Sequence, residues 1–107
     1  IIEFRTEAGL ISADATVAAG STVTIGIHAE KAEAQDVLKK FNISLSKNGG
    51  TAITVYDEDV TGADQDAFDF DFTPTLATLA GDNYKFTFTV TNRDGLTNNV
   101  SLTLTTN

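Results

Sequence analysis

The sequence predicts an all-β protein, an antiparallel two-sheet sandwich of about seven to eight strands that residues 1–107 form as a single domain. Three observations lead to this prediction. Apolar and polar residues alternate along much of the chain, turn-forming residues separate the alternating segments, and 107 residues is the length of one domain. Clean alternation is typical of antiparallel strands that have one face on a core and the other in water.

Five segments carry the alternation, and each predicts a strand whose apolar side chains face inward. These segments are residues 22–28, 41–46, 68–72, 84–90 and 100–105. The predicted core consists of their apolar positions: Val23, Ile25, Ile27, Phe41, Ile43, Leu45, Phe68, Phe70, Phe72, Phe86, Phe88, Val90, Leu102 and Leu104.

Turn-forming residues separate several of these strands. Residues 48–50, Asn-Gly-Gly, predict a hairpin that leads into a further strand at about 51–56, because these residue types adopt positive φ angles. Residues 92–95, Asn-Arg-Asp-Gly, predict a second hairpin before the last strand. Pro74 is expected to end the phenylalanine-rich strand, since proline cannot donate to a sheet ladder.

Residues 31–40 depart from the alternation. The apolar residues in and just after this segment recur at helical spacing: Ala34, Val37, Leu38 and Phe41. Acidic residues lead and two lysines follow, which is the order that a helix dipole favours. We therefore predict a short helical turn near 31–40 that crosses from one sheet to the other.

The composition excludes several classes of function. The 15 acidic residues outnumber the 7 lysines and arginines, which gives a formal charge of −8 and predicts no nucleic-acid partner. The chain has no cysteine, so disulfides, thiolate metal sites and a cysteine nucleophile are excluded. Because no long apolar run occurs, we expect no membrane insertion by this domain.

Residues 57–71 contain many acids and no base. Calcium takes several oxygen ligands and tolerates irregular loops, so four of these acids are weak candidates for a calcium site. The candidates are Asp57, Asp59, Asp64 and Asp66. No Asp-x-Asp-x-Asp-Gly loop is present, and the favoured interpretation is a solvated acidic edge that discourages strand-to-strand aggregation.

Two further sets of polar residues invite a catalytic interpretation. Asp69 and Asp71 lie on one face of a predicted strand, at a separation of about 6.5–7 Å that is close to an inverting glycosidase pair. Any alternating strand gives this separation, and we expect both side chains in solvent. His28, the only histidine, is out of phase with the apolar residues of its strand and is expected at the surface. We therefore predict no enzyme, no catalytic residue and no cofactor.

Tyr56 is the one candidate ligand-binding residue. It is out of phase with Ile53 and Val55, so its ring is expected to be exposed beside the acids at 57–59. Most other aromatic residues alternate with polar ones and are assigned to the core.

Residues 79–84, Leu-Ala-Gly-Asp-Asn-Tyr, and the strand that follows them resemble the stretch before strand F of immunoglobulin-like, fibronectin-type and PKD-like domains. Residues 91–97 resemble the F–G hairpin of those domains. The whole chain, with 38–50 as a C strand and its turn, is similar to immunoglobulin-like modules of exported bacterial surface lipoproteins of the Bacteroides type. The paired cysteines and core tryptophan of antibody domains are absent.

This resemblance implies an immunoglobulin-like sandwich with a tyrosine corner at Tyr84, whose hydroxyl is expected to donate to the backbone of residues 81–83. The implied function is a non-enzymatic secreted or cell-surface module for adhesion, protein interaction or spacing. The alternative is a carbohydrate-binding accessory domain of a glycan-uptake or degrading system. The expected partner is an unknown surface protein or glycan.

The expected location is the cell surface or the medium, with an anchor in the outer membrane of a bacterium. The chain opens on Ile1 instead of methionine, which is interpreted as a segment whose signal peptide has been removed. As an isolated domain it is expected to be monomeric.

Overall fold

The computed structural model describes all residues from Ile1 to Asn107 and contains eight strands and one short 3₁₀ helix. The strands are β1 (Ile2–Phe4), β2 (Ala15–Val17), β3 (Ile25–Glu30), β4 (Leu38–Lys47), β5 (Ile53–Asp59), β6 (Ala67–Phe72), β7 (Asn83–Asn92) and β8 (Thr97–Thr106). The 3₁₀ helix, Gly62–Gln65, lies between β5 and β6. The structure contains no helix with the length and apolar character needed to cross a membrane.

The strands form two sheets, which confirms the predicted all-β, two-sheet architecture. The small sheet has the order β1-β3-β6, and the large sheet has the order β2-β8-β7-β4-β5. Every neighbouring pair is antiparallel except β2 and β8, which run parallel. The prediction of purely antiparallel pairing is therefore wrong at this pair. β2 and β8 come from opposite ends of the chain, so no tight turn between them dictates their relative direction.

The predicted alternation places the core between the sheets. Nine of the fourteen predicted core residues are buried, and the other five are half-buried and pack against them. Rings from the two sheets meet edge to face, with centroids 5.3 Å apart for Phe72 and Phe86 and 5.9 Å apart for Phe4 and Phe88. Such pairs are favourable beyond the area that they bury.

The core also contains six buried residues that are not among the fourteen predicted core positions. They are Ile2, Ala29, Leu38, Val60, Leu76 and Tyr84, of which only Tyr84 was expected to face inward. Most of the others lie in very short strands, at strand ends or in connections. Such positions carry no period-two pattern, so the periodicity alone could not assign them.

Residues 31–40 do not form the predicted helical turn. They contain a single hydrogen-bonded turn, in which the amide of Asp36 donates to the carbonyl of Glu33 at 3.0 Å, and β4 begins at Leu38. A register shift directly after Leu38 leaves two exposed lysines in succession before the buried Phe41. This irregularity in a strand produces the spacing that resembles a helix. The segment does connect the small sheet to the large sheet, as expected.

Both predicted hairpins are confirmed. Asn48 and Gly49 adopt positive φ angles of 53° and 74° between β4 and β5. In the turn between β7 and β8, the side-chain oxygen of Asn92 accepts from the amides of Asp94, at 2.9 Å, and Leu96, at 3.0 Å. The side chain of asparagine thereby takes the place of a backbone acceptor, which is the role it commonly has in turns.

Tyr84 is buried with its ring on the inward face of β7, as predicted, but its hydroxyl has a different partner. The amide of Ala77 donates to it at 3.0 Å. The expected bond to residues 81–83 is not formed. The carbonyls of Asp82 and Asn83 accept instead from Thr106 of β8 and from Asn48 of the β4–β5 turn. The hydroxyl of Tyr84 therefore accepts a hydrogen bond from the connection before β7, whereas the sequence predicted that it would donate one.

We expect Tyr84→Phe to lose about 0.5–1.5 kcal/mol of unfolding free energy, because the amide of Ala77 loses its acceptor. Denaturant unfolding measures this loss. Tyr56→Phe is the matched control, since its hydroxyl lies at the surface. A loss no larger than that of the control would contradict a structural role for the Tyr84 hydroxyl.

Phe88 has no exposed surface and contacts Phe4 of the small sheet. We expect Phe88→Ala to lower the unfolding free energy by about 3–5 kcal/mol, because removal of the ring leaves a cavity at the centre of the core. Leu96→Ala, at a residue that is 69% exposed, should change it by no more than about 0.5 kcal/mol. Equal effects in the same denaturation experiment would rule out this assignment of the core.

Candidate functional site

The acidic run of residues 57–71 is divided among three parts of the fold. Asp57 and Asp59 lie in β5, Asp64 lies in the 3₁₀ helix, and Asp66 directly follows that helix. The structure contains no group of three or more histidines, aspartates or glutamates arranged to hold a metal ion. The four calcium candidates are therefore not brought together at one point.

Bases from other strands approach the acids of this run. The ammonium of Lys40 lies 3.4 Å from carboxylate oxygens of both Asp57 and Asp59, and that of Lys31 lies 2.6 Å from Asp66. Strand pairing causes the first contact, because Lys40 is directly opposite Asp59. Exposed ion pairs of this kind contribute little to stability, because water and salt screen them. A segment without a base in sequence thus acquires bases through the fold.

The outer face of the small sheet carries a dense set of charged side chains, which we call the outer charged face. Its members are Glu3, Arg5, His28, Glu30, Asp69 and Asp71. His28 is paired in register with Glu3 on one side and with Asp69 on the other. The sheet therefore places one histidine between two acids that are distant in sequence.

His28 forms a close contact with Asp69 on this face. Its Nδ1 lies 2.6 Å from Oδ1 of Asp69, and its Nε2 lies 3.8 Å from a carboxylate oxygen of Glu30. The hydrogen bond with Asp69 is the largest effect on His28 and raises its pKa. Burial lowers the pKa by less than this bond raises it, and the negative charges of Asp69, Glu30 and Glu3 raise it further. The side chain remains 31% exposed, in agreement with its expected surface position.

Because the pKa of His28 is higher in the folded than in the unfolded protein, protonated His28 stabilises the fold. This stabilisation is fully present below the pKa of the unfolded state, about 6.5, and is lost as pH rises through the pKa of the folded state. We therefore expect wild type to exceed His28→Gln in unfolding free energy by more at pH about 5.5 than at pH about 8.5. Denaturant unfolding at both pH values measures the difference.

Asp69→Asn is the control for this experiment, because it removes the partner that raises the pKa of His28 most. In that background the His28→Gln difference should depend much less on pH. A pH-independent difference in the wild-type background would contradict the assigned contact.

Arg5, which the sequence analysis did not single out, lies across this face. Its guanidinium contacts Asp71 and lies 3.9 Å from Asp69 and 3.8 Å from Glu7. Gly26 makes room for it, since a Cβ at that position would lie 2.7 Å from the guanidinium. A glycine inside an apolar strand indicates a close approach, and this was the signal available in the sequence.

Asp69 and Asp71 project outward from β6, as expected, but neither carboxylate is alone. His28 binds the first and Arg5 binds the second. Beside Asp69 lies an open depression of about 510 Å³, formed mainly by β1 and residues 5–7. The arrangement can hold a proton on His28 and keep both aspartates in ion pairs.

Tyr56 is half-buried, so its expected exposure is wrong. The ring packs on Phe70 with centroids 4.9 Å apart and on Phe41 with centroids 5.9 Å apart. The hydroxyl donates to Glu58, and this bond, together with burial, raises the pKa of Tyr56 to about 12. The ring joins the two sheets at one flank of the molecule.

A register shift explains why the strand phase was misread. The pairing of β4 with β5 shifts between Ile43 and Ser44, and Tyr56 lies directly opposite the buried Ile43. The residues assigned inward are instead exposed, Ile53 by 60% and Val55 by 41%. A bulge of this kind changes which residues of an edge strand face the core.

β5 forms one edge of the large sheet. Its seven residues bond to β4 on one side, and none of the backbone hydrogen bonds outside the regular elements involves Ile53–Asp59. The other side therefore presents unpaired backbone N–H and C=O groups. We call this open side of Ile53–Asp59 the β5 edge.

No protein-family model matches the chain, and no curated protein matches it. Among solved structures, a superoxide reductase (neelaredoxin) from Ignicoccus hospitalis has a TM-score of 0.69 at 8% identity, covering 99% of this chain and 79% of that one. The sporulation control protein Spo0M from Bacillus subtilis has a TM-score of 0.56 at 13% identity. That match covers 99% of this chain and 49% of the Spo0M chain. At these identities, what the chain shares with both proteins is the fold.

Proposed function

We propose that this chain is a non-enzymatic, immunoglobulin-like module of a secreted or cell-surface protein, and that it binds a protein partner through the β5 edge. One observation carries the proposal. The edge strand of the larger sheet combines unpaired backbone groups with two exposed apolar side chains, Ile53 and Val55. An edge of this kind is a template for pairing with another chain. A lipoprotein anchor in a bacterial outer membrane belongs to the same proposal.

The fold supports the immunoglobulin-like part of the proposal. Two sheets enclose one core, a hairpin joins β7 to β8, and Tyr84 at the start of β7 bonds to the connection that precedes it. This arrangement resembles a tyrosine corner before the last hairpin of such domains.

Tyr56 favours a protein partner over a glycan. Sugar recognition by stacking needs an accessible aromatic face, whereas this ring packs on Phe41 and Phe70. Its hydroxyl is engaged by Glu58. Ile53 and Val55 are better suited to contact an extended polypeptide, in which alternate side chains face the sheet.

Two screens against the folded domain test the proposal, one with short random peptides and one with an oligosaccharide array. We expect peptides to bind, because the β5 edge offers main-chain pairing and apolar contacts together. The double variant Ile53→Thr/Val55→Thr should weaken this binding by about tenfold or more, while its threonines keep the strand propensity.

Leu96→Thr is the matched control, because Leu96 is an exposed leucine on a different part of the surface. It should leave peptide binding unchanged. Binding confined to oligosaccharides and abolished by Tyr56→Ala would establish the glycan alternative instead. Chemical turnover of a bound ligand would contradict the non-enzymatic assignment, and the absence of any binding would leave spacing as the function.

A further inference from the structure

We propose that the β5 edge binds an extended basic segment, by adding it as an antiparallel strand with lysine or arginine at its beginning and apolar residues after them. This inference rests on the proposed function and specifies the chemistry of the partner. It follows from the uneven distribution of side chains along β5.

β5 has two unlike halves. Its first half exposes Ile53 and Val55, whereas its second half consists of the acids Asp57, Glu58 and Asp59. At a rise of about 3.4 Å per residue, the strand is long enough for a segment of the same length to pair along both halves. The edge therefore distinguishes the two ends of a bound segment.

The acidic half is incompletely neutralised. Lys40 is the base within 4 Å of Asp57 and Asp59, and it lies 3.4 Å from each. Glu58 accepts a hydrogen bond from the neutral hydroxyl of Tyr56, which leaves its charge in place. Asp57 and Asp59 thus share one lysine, and Glu58 has no base within 4 Å. This half of the strand therefore has an excess of negative charge that attracts a base from a partner.

The corresponding edge of the small sheet differs in this respect. The two aspartates of β6 each face a base of their own sheet, His28 for Asp69 and Arg5 for Asp71. Because these charges are matched within the domain, β6 attracts a cationic partner less strongly. The charge imbalance therefore distinguishes the β5 edge from the β6 edge.

Charge also argues against a second copy of this chain as the occupant. Each copy has a formal charge of −8, so two domains repel one another at long range. A cationic segment has the opposite relation to the domain, and its approach is accelerated by the same field. We expect the bound segment to run antiparallel to β5, because antiparallel pairing is slightly more stable per residue than parallel pairing.

The probe is an acetylated and amidated peptide, Lys-Thr-Lys-Thr-Val-Thr-Val. Paired antiparallel with β5, this peptide places its lysines at the acidic half of the strand and its valines at the half that exposes Ile53 and Val55. The matched probes are the same peptide with glutamate in place of lysine and the peptide of reversed order. We expect the lysine-first peptide to bind about tenfold or more tightly than either, and to weaken as salt is added.

Main-chain pairing is tested separately. Two versions of the lysine-first peptide carry N-methyl groups, one on the odd residues and the other on the even residues. A strand in a sheet edge turns alternate amides toward its neighbour, so one version should bind and the other should not. Equal binding by both versions would mean that charge alone attracts the peptide, and would overturn strand addition.

Two double variants of the protein distinguish the effect of the β5 carboxylates from the effect of the overall negative charge. Asp57→Asn/Asp59→Asn should weaken the lysine-first peptide severalfold and remove most of its salt dependence. Glu7→Gln/Asp94→Asn removes the same charge at exposed positions outside the acidic run and should have little effect. Equal weakening by both pairs, or no binding of the lysine-first peptide at millimolar concentration, would overturn the inference.

The outcome is distinguishable from failure of the proposed function. Random peptides that bind only when Ile53 and Val55 are present, but contain no basic residue, would support the function and overturn the basic specificity. Self-association that Ile53→Thr/Val55→Thr abolishes would identify a second copy as the occupant and would also overturn the inference. If neither Ile53→Thr/Val55→Thr nor Asp57→Asn/Asp59→Asn weakened peptide binding, both proposals would be overturned.

Discussion

The contact of β7 with the opposite sheet is the interaction on which the rest of the structure depends. Phe86 and Phe88 lie at the centre of the large sheet, and their rings meet Phe72 and Phe4 of the small sheet. Burial of these rings holds the two sheets at a fixed distance, because aromatic side chains bury the largest apolar areas of any residues. The outer charged face and the β5 edge are both positioned by this packing, although neither contributes to it.

Period-two alternation predicted the strands of the centre, and it failed where β4 is irregular. The pairing of β4 has two register shifts. In its pairing with β7 the extra residue is Lys39 of β4, and in its pairing with β5 the extra residue is Val55 of β5. The first made a strand resemble a helix at 31–40, and the second reversed the assignment of Tyr56 and its neighbours. A bulge adds a residue without leaving a distinctive residue type in the sequence, so periodicity cannot reveal it. Both errors therefore have the same physical origin.

The charged surfaces were predictable only in part. The acidic run was evident in the sequence, but its partners came from other strands, as Lys40 does for Asp59 and His28 does for Asp69. Such contacts depend on the register between strands that are far apart in the chain. Arg5 illustrates the limit most clearly, because the one local indication of its position was the glycine beneath it in β3.

The pairing of β1 with β3 covers one edge of β3 in the small sheet. This strand has three residues, and its pairing with β3 is reinforced by the backbone nitrogen of Ile1, which donates to the carbonyl of Glu30 at 2.9 Å, and by Arg5 above the sheet. Detachment of β1 would turn β3 into an edge that carries the fully buried Ile25 and Ile27. An unpaired β3 would be a template for pairing with another chain, and β1 together with Arg5 keeps it covered.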